Sequence, residues 1–312
     1  MQSSSLSPHH KLKFTAILVA KLTVALTLLY FVLRRIDGQI LLKLLVNTPL
    51  QYPLTAFLLL NLSVVTSALR SRLYFRNNGL NVTRWFFLKL YYVGMLFNIV
   101  LPGGIGGDAY KVYVLWRRHH FSRLHGIRIM FYERANGVVL LGIIGAVILP
   151  FTGFWEVLQK LIPMPLLVYG LLTALIWPVY LALGRIILKD DTSTMISASY
   201  YSAIGQILQV LMATAIVWGI EPNIEPYNLY NYLFLFAVSS VVSILPISIG
   251  GVGLREATFL LGLSWINTAS KEAGIALAMM VFIMQALASL IGIIYLYEFR
   301  PSKASHAASA LR

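Results

Sequence analysis

The chain has 312 residues, of which 58% are hydrophobic and only 12% charged. Soluble globular domains carry about 25% charged residues, so this chain has too little charge to cover a large water-facing surface and reads as an integral membrane protein. The formal net charge is +14 and there are no cysteines; the zero count excludes disulfides, thiolate catalysis and cysteine-ligated metals.

The basic excess does not point to nucleic acid. The Lys and Arg residues fall in short gaps between apolar runs, where they act as orientation signals. A polar, basic tail at 1–13 precedes the first apolar run, 14–33. That run is too long for a signal-peptide core and lacks a clear cleavage site, so it reads as a retained helix. A helix needs roughly 20 apolar residues to cross the hydrocarbon. Runs at 51–69, 129–150, 164–184, 199–219 and 273–296 also qualify, which gives six full spans within a single transmembrane domain at 14–298. Residues 299–312 form a second polar tail.

Two further apolar stretches, 86–115 and 229–262, are interrupted by a Pro and several glycines. The interruptions read LPGGIGGDAYK from Leu101 and LPISIGGVGLRE from Leu245. Leu101, Pro102, Ile105, Gly106 and Gly107 match Leu245, Pro246, Ile249, Gly250 and Gly251. Each half, about 14–150 and 164–298, then reads as two spans, a broken hairpin and one span, an internal repeat. Pro lacks the N–H that a helix needs and Gly is a weak helix former. Broken backbone at membrane depth is tolerated only where protein or a wet cavity surrounds it, so both stretches are expected to be re-entrant helical hairpins.

Charge sets the expected topology. Arg70, Arg72, Arg76, Arg84 and Lys89 fall in the 70–89 connection; Lys111, Arg117, Arg118, Arg123 and Arg128 fall in 111–128. Glu221 and Glu225 occupy the 220–228 loop with no base. The positive-inside rule then places both termini in the cytoplasm, although 34–49 and 185–198 fit less well. Three full spans per half put the halves in opposite orientations. The fold class is thus all-α polytopic membrane protein, with about six full spans and two broken hairpins as an inverted repeat, a pattern that places a transport site near the bilayer midplane.

At LPGGIGGDAYKVYVL, FYERANGVV and LPISIGGVGLREATFLLGL the chain resembles the transmembrane region of bacterial lysylphosphatidylglycerol synthases, over about residues 14 to 298. That region is shared with stand-alone flippase-like membrane proteins. The resemblance implies a bacterial inner membrane and a role in moving lipid between leaflets. In the full synthases a soluble aminoacyl-transfer domain follows; here only 299–312 follow, so no aminoacyl-transferase activity is expected.

The candidate substrate-binding residues cluster at the breaks. Gly103, Gly104, Gly106 and Gly107, with Gly250, Gly251 and Gly253, would open the hairpin tips and expose half-helix N–H groups to a lipid phosphate; close helix packing through small residues is the alternative. Asp108 and Lys111 follow the first tip, Arg255 and Glu256 the second, and Glu133 and Arg134 begin a span. A charge at the bilayer centre costs about 2.5–3.5 kcal/mol on insertion scales, so such residues pair or line a cavity. Glu133–Arg134 and Arg255–Glu256 also read as structural ion pairs. Lys21 is an intramembrane charge that would snorkel to the interface or serve the site. Arg suits phosphate best, through its bidentate fork.

His119, His120 and His125 sit among arginines with no carboxylate nearby, so no metal is expected and a basic surface on anionic lipid heads is the simpler reading. Trp85, Tyr91, Tyr92, Trp155 and Trp177 read as interface anchors. No nucleophile–base pair, nucleotide-binding motif or cofactor motif stands out. The leading expectation is a transporter or flippase for an anionic lipid or lipid-linked intermediate, with membrane lipids as partners. The alternatives are a membrane-embedded transferase acting on a lipid through Asp108, Glu133 or Glu256, and an accessory subunit of a membrane lipid- or glycan-modifying enzyme; a homo-oligomer or a membrane enzyme partner is a further expectation.

Overall fold

The computed structural model describes residues 23, 26–27, 30–32, 34–35, 37–100, 105–188, 192–244, 251–266 and 269–299. The helices are α1 (Gly38–Asn47), α2 (Gln51–Asn77), α3 (Arg84–Val100), α4 (Gly106–His119), α5 (Arg123–Ile148), α6 (Gly153–Leu161), α7 (Leu166–Leu188), α8 (Thr192–Ile220), α9 (Pro226–Val242), α10 (Leu254–Ile266) and α11 (Lys271–Leu296). A short 3₁₀ turn, Leu149–Phe151, extends α5.

Local chemistry sets several ends. The Asp37 carboxylate accepts from the Gln39 and Ile40 N–H groups at 2.8 and 3.2 Å and starts α1. The Ser270 hydroxyl accepts from Ala273 N–H at 3.2 Å and starts α11. Pro226 occupies the first turn of α9, where its missing N–H costs nothing. His120 adopts the left-handed conformation, φ 53°, and its N–H returns to the Leu115 carbonyl to end α4.

Five helices are long and apolar enough to cross a membrane: Gln51–Asn77, Arg123–Phe151, Leu166–Ile186, Thr192–Ile220 and Lys271–Leu296. They contain five of the six expected spans. The sixth, 14–33, lies largely outside the described residues, though residues 23, 26, 27 and 30–32 are helical. Both expected breaks fall between separate helices: Ile105 is non-helical ahead of α4, and residues 243–244 and 251–253 are non-helical between α9 and α10. Gly103, Gly104, Gly250 and Lys21 fall outside the described residues, as do the tails at 1–13 and 300–312.

One boundary needs correction. The helix α2 runs on to Asn77, beyond the apolar run that ends at 69, and buries Arg70. The connection expected at 70–89 is therefore confined to 78–83.

The bundle has two chemically distinct ends. At one, His125 bonds Asn78 at 2.7 Å and Lys89 pairs with Glu298 at 2.9 Å. Arg84, Arg117, Arg118 and Arg123 lie in the terminal turns of helices there. At the other, the Asp37 N–H meets Glu272 at 3.5 Å, Gly153 N–H meets Asn231 at 3.0 Å, and Tyr232 donates to the Ser270 carbonyl at 2.9 Å. Glu156, Glu221 and Glu225 belong to this end. The pair α3–α4 leaves and returns to the basic end, and α9–α10 to the other.

The helix neighbours repeat between halves. α3 packs on α4 as α9 packs on α10. α11 packs on α3 as α5 packs on α9, α4 on α5 as α10 on α11, and α2 on α3 as α8 on α9. The two helices α2 and α8 run antiparallel at the centre, with Gly219 beside Tyr52 and Gly205 beside Thr66. Close approach fixes the hairpin of the basic end: a β-carbon on Gly107 would collide with the Gly94 carbonyl, and one on Gly292 with the Tyr92 carbonyl. One core gathers Met212, Phe236, Phe259 and Ala276, the other Tyr74, Phe75, Phe87 and Leu115. The α7 face, with Leu167, Leu171, Leu175 and Val179, is exposed and apolar as lipid contact requires.

Candidate functional site

A cavity of ≈ 350 Å³ lies where the two hairpins meet α2, α5, α8 and α11. Its polar wall comes from Ser63, Ser67 and Arg70 of α2, Tyr91 and Asn98 of α3, Glu133 and Arg134 of α5, Gln206 and Gln209 of α8, Ser240 of α9, Arg255 of α10 and Gln285 of α11. A smaller chamber of ≈ 150 Å³ adjoins it and adds Asp108 and Lys111 of α4. Arg70, Tyr91, Asn98, Glu133 and Arg134 line both.

The charges are organised across helices. Lys111 Nζ lies 2.9 Å from Asp108 Oδ1 and 4.3 Å from the centre of the Tyr91 ring. Arg134 Nε donates to the other oxygen of Asp108. Arg70 Nη2 reaches Glu133 Oε1 at 3.4 Å, while its Nη1 donates to the Ser202 hydroxyl at 2.8 Å. Asp108, Lys111, Glu133, Arg70 and Arg255 are all buried. Burial without a partner is costly for a charge, so the first two carboxylates are tied to the bases that face them.

Arg255 differs. It is 7% exposed and its Nη1 has no hydrogen-bond partner among the described residues. Its guanidinium carbon stands 5.9 Å over the Phe236 ring. The neighbouring Glu256 does not pair with it: Glu256 Oε2 accepts from Gly253 N–H at 2.8 Å and closes the first turn of α10.

Several expectations are thereby revised. Glu133 and Arg134 do not pair with each other, because successive residues on a helix point apart; each pairs with a neighbouring helix. Arg255 and Glu256 do not pair for the same reason. The glycine N–H groups are not all open to a ligand. Gly107 N–H is held by Asn98 Oδ1 at 2.8 Å, and Gly253 N–H by Glu256. Gly251 and Gly253 take φ of +82° and +83°, the left-handed turn that glycine allows most cheaply, and Gly251 lines the cavity. Gly106 opens α4. The expected residues that line the two spaces are thus Asp108, Lys111, Glu133, Arg134, Gly251 and Arg255, while Glu256 caps α10 behind them.

Sequence reading missed Arg70, Tyr91, Asn98, Gln206 and Gln209 as wall residues. For Arg70 the only signal was its position directly after an apolar run. For the two glutamines it was their three-residue spacing, one helical face, inside an otherwise apolar span.

A helical membrane bundle with two broken hairpins around an internal cavity walled by three arginines is a polytopic membrane protein with a polar site within it. The chain belongs to the family described as lysylphosphatidylglycerol synthase TM region, whose model matches residues 18–292. No curated protein matches it. Membership relates the chain to lipid modification or transport.

Proposed function

We propose that the protein moves an anionic lipid, or a lipid-linked intermediate, between the two leaflets of the membrane. The observation that carries this reading is Arg255, a buried guanidinium on the cavity wall with no carboxylate paired to it among the described residues. Such a group is costly to keep unless something anionic visits it. Its planar fork suits two phosphate oxygens, and the cavity's serine, asparagine and glutamine side chains suit a hydroxylated or glycosylated headgroup.

The arrangement of the hairpins supports the same reading. They approach the cavity from opposite ends of the bundle, as inverted repeats of transporters do around a midplane site. With the basic end in the cytoplasm and both termini there, α3–α4 dips from inside and α9–α10 from outside. A bacterial inner membrane fits this orientation.

The test is reconstitution. Purified protein in vesicles of phosphatidylcholine and phosphatidylglycerol, with a trace of fluorescent phosphatidylglycerol, is expected to make the inner-leaflet probe accessible to an external quencher. Vesicles that stay as impermeant as protein-free ones would reject the transport reading.

A further inference from the structure

The cavity has an apolar neighbour. A groove of ≈ 330 Å³ follows the seam between α5 and α9 and is floored by Gly142, Gly145, Ala146, Ala237, Val238 and Val241. Leu141 lines both this groove and the polar cavity. On the same two helices Val138 and Ser240 belong to the cavity wall, so cavity and groove adjoin at Leu141.

The groove is space that the helices leave open. A β-carbon at Gly142 would meet no atom within 4 Å, and one at Gly145 would only touch Ala237 at 3.4 Å. Small residues in a membrane normally let helices close on each other; along this seam they leave a channel instead. The one polar side chain in the lining is Tyr169 of α7, whose hydroxyl donates to the Ala146 carbonyl at 2.8 Å. A water there would find few partners, whereas a hydrocarbon chain needs none. Beyond Tyr169 a second apolar groove of ≈ 390 Å³ continues along α5 and α7 with Val147, Gly170 and Trp177.

We infer that the α5–α9 groove holds an acyl chain of the lipid whose headgroup enters the cavity past Leu141. This rests on the reading of the cavity as a headgroup site. The physical argument is tethering. A phosphate held at Arg255 keeps its chains within a few bonds of the cavity wall, and those chains cannot leave hydrocarbon without exposing apolar surface to a polar space. The groove is the apolar space that shares a wall with the cavity, and it continues to a lipid-facing helix.

The experiment is photolabelling. Phosphatidylglycerol with a diazirine on one acyl chain is incorporated with the intact protein in phosphatidylcholine vesicles, irradiated, and the adducts are mapped by mass spectrometry. Adducts are expected to concentrate on 141–149 and 234–242. Arg255→Ala should reduce them about tenfold, the loss of one charge-assisted contact, and leave labelling of the exposed α7 face unchanged. Gly142→Trp, which fills the groove, should reduce them similarly. Labelling spread evenly over the lipid-facing helices would overturn the inference, and so would groove labelling that survives Arg255→Ala in folded protein. If Gly142→Trp does not fold, the Arg255→Ala comparison decides. Groove labelling in a protein that moves no lipid would uphold the subsite and reject transport alone.

Discussion

Lys111 and Arg255 occupy the same position in the two copies of the Leu-Pro-x-x-Ile-Gly-Gly segment, 144 residues apart, yet of the two only Lys111 forms an ion pair among the described residues. Three residues before Lys111 stands Asp108; three before Arg255 stands Val252. One basic group is neutralised by the protein, while the other is held buried at the cavity wall with an unpartnered nitrogen among the described residues. The two segments are alike in sequence and unlike in charge, and that difference leaves Arg255 on the cavity wall without the ion pair that Lys111 has.

A group retained for ligand binding rather than for folding should cost stability. Arg255→Met removes a buried, unpaired charge and keeps an apolar stem over Phe236. It is expected to hold or raise the stability of the protein in detergent, by about 1–3 kcal/mol. Thermal unfolding measures this. A clear fall in melting temperature would mean that Arg255 is a structural strut.

Asp108 competes with any anion for Lys111 and Arg134. Asp108→Asn leaves both cations facing the smaller chamber. Binding of glycerol phosphate to the detergent-solubilised protein, followed by calorimetry, is expected to tighten about tenfold. Weaker binding would show instead that Asp108 holds the chamber open.

The Arg70–Glu133 pair should behave in the opposite way to Arg255. Both side chains are buried, so Glu133→Leu strands a guanidinium whose only other described partner is Ser202. Breaking such a pair costs about 3–5 kcal/mol, whereas replacing both members, Arg70→Met with Glu133→Leu, costs less. A double-mutant cycle on melting temperature checks this; strictly additive effects would show that the two charges are not coupled.

The glycines separate into two kinds. At Gly107 an added methyl meets the backbone of Gly94, which cannot swing away, so Gly107→Ala should lower the yield of monodisperse protein sharply. At Gly142 nothing stands in the way, so Gly142→Ala should be neutral by size exclusion and melting temperature. Equal tolerance at the two sites would contradict the close packing of α3 and α4.

Most of the architecture was legible because the membrane imposes it. Length and hydropathy marked the spans, and Pro102 and Pro246 with their glycines marked the breaks, since Pro lacks the N–H a helix needs and clustered glycines weaken one. The pairing of charges was not legible. Glu133 and Arg134 are neighbours in sequence, but a helix turns about 100° between them, so Glu133 meets Arg70 of α2 and Arg134 meets Asp108 of α4, partners that only the packing of those helices supplies. Arg70 reads as a loop residue in the sequence because hydropathy ends where the first charge appears, while the helix itself continues as long as its backbone bonds are satisfied and a partner accepts the charge. The use of Gly107 and Gly253 N–H groups by Asn98 and Glu256 was hidden for a related reason: an N–H at a helix start is open only if no side chain within reach has claimed it.

On the proposed reading, Arg255 receives an anionic lipid headgroup during transport. The most direct test is the rate at which fluorescent phosphatidylglycerol crosses vesicles containing wild-type or Arg255→Ala protein at equal reconstituted amounts, with melting temperatures taken alongside. The expected result is active wild type and an Arg255→Ala variant slowed about tenfold or more at undiminished stability. Equal rates for the two proteins would rule out Arg255 as the headgroup site.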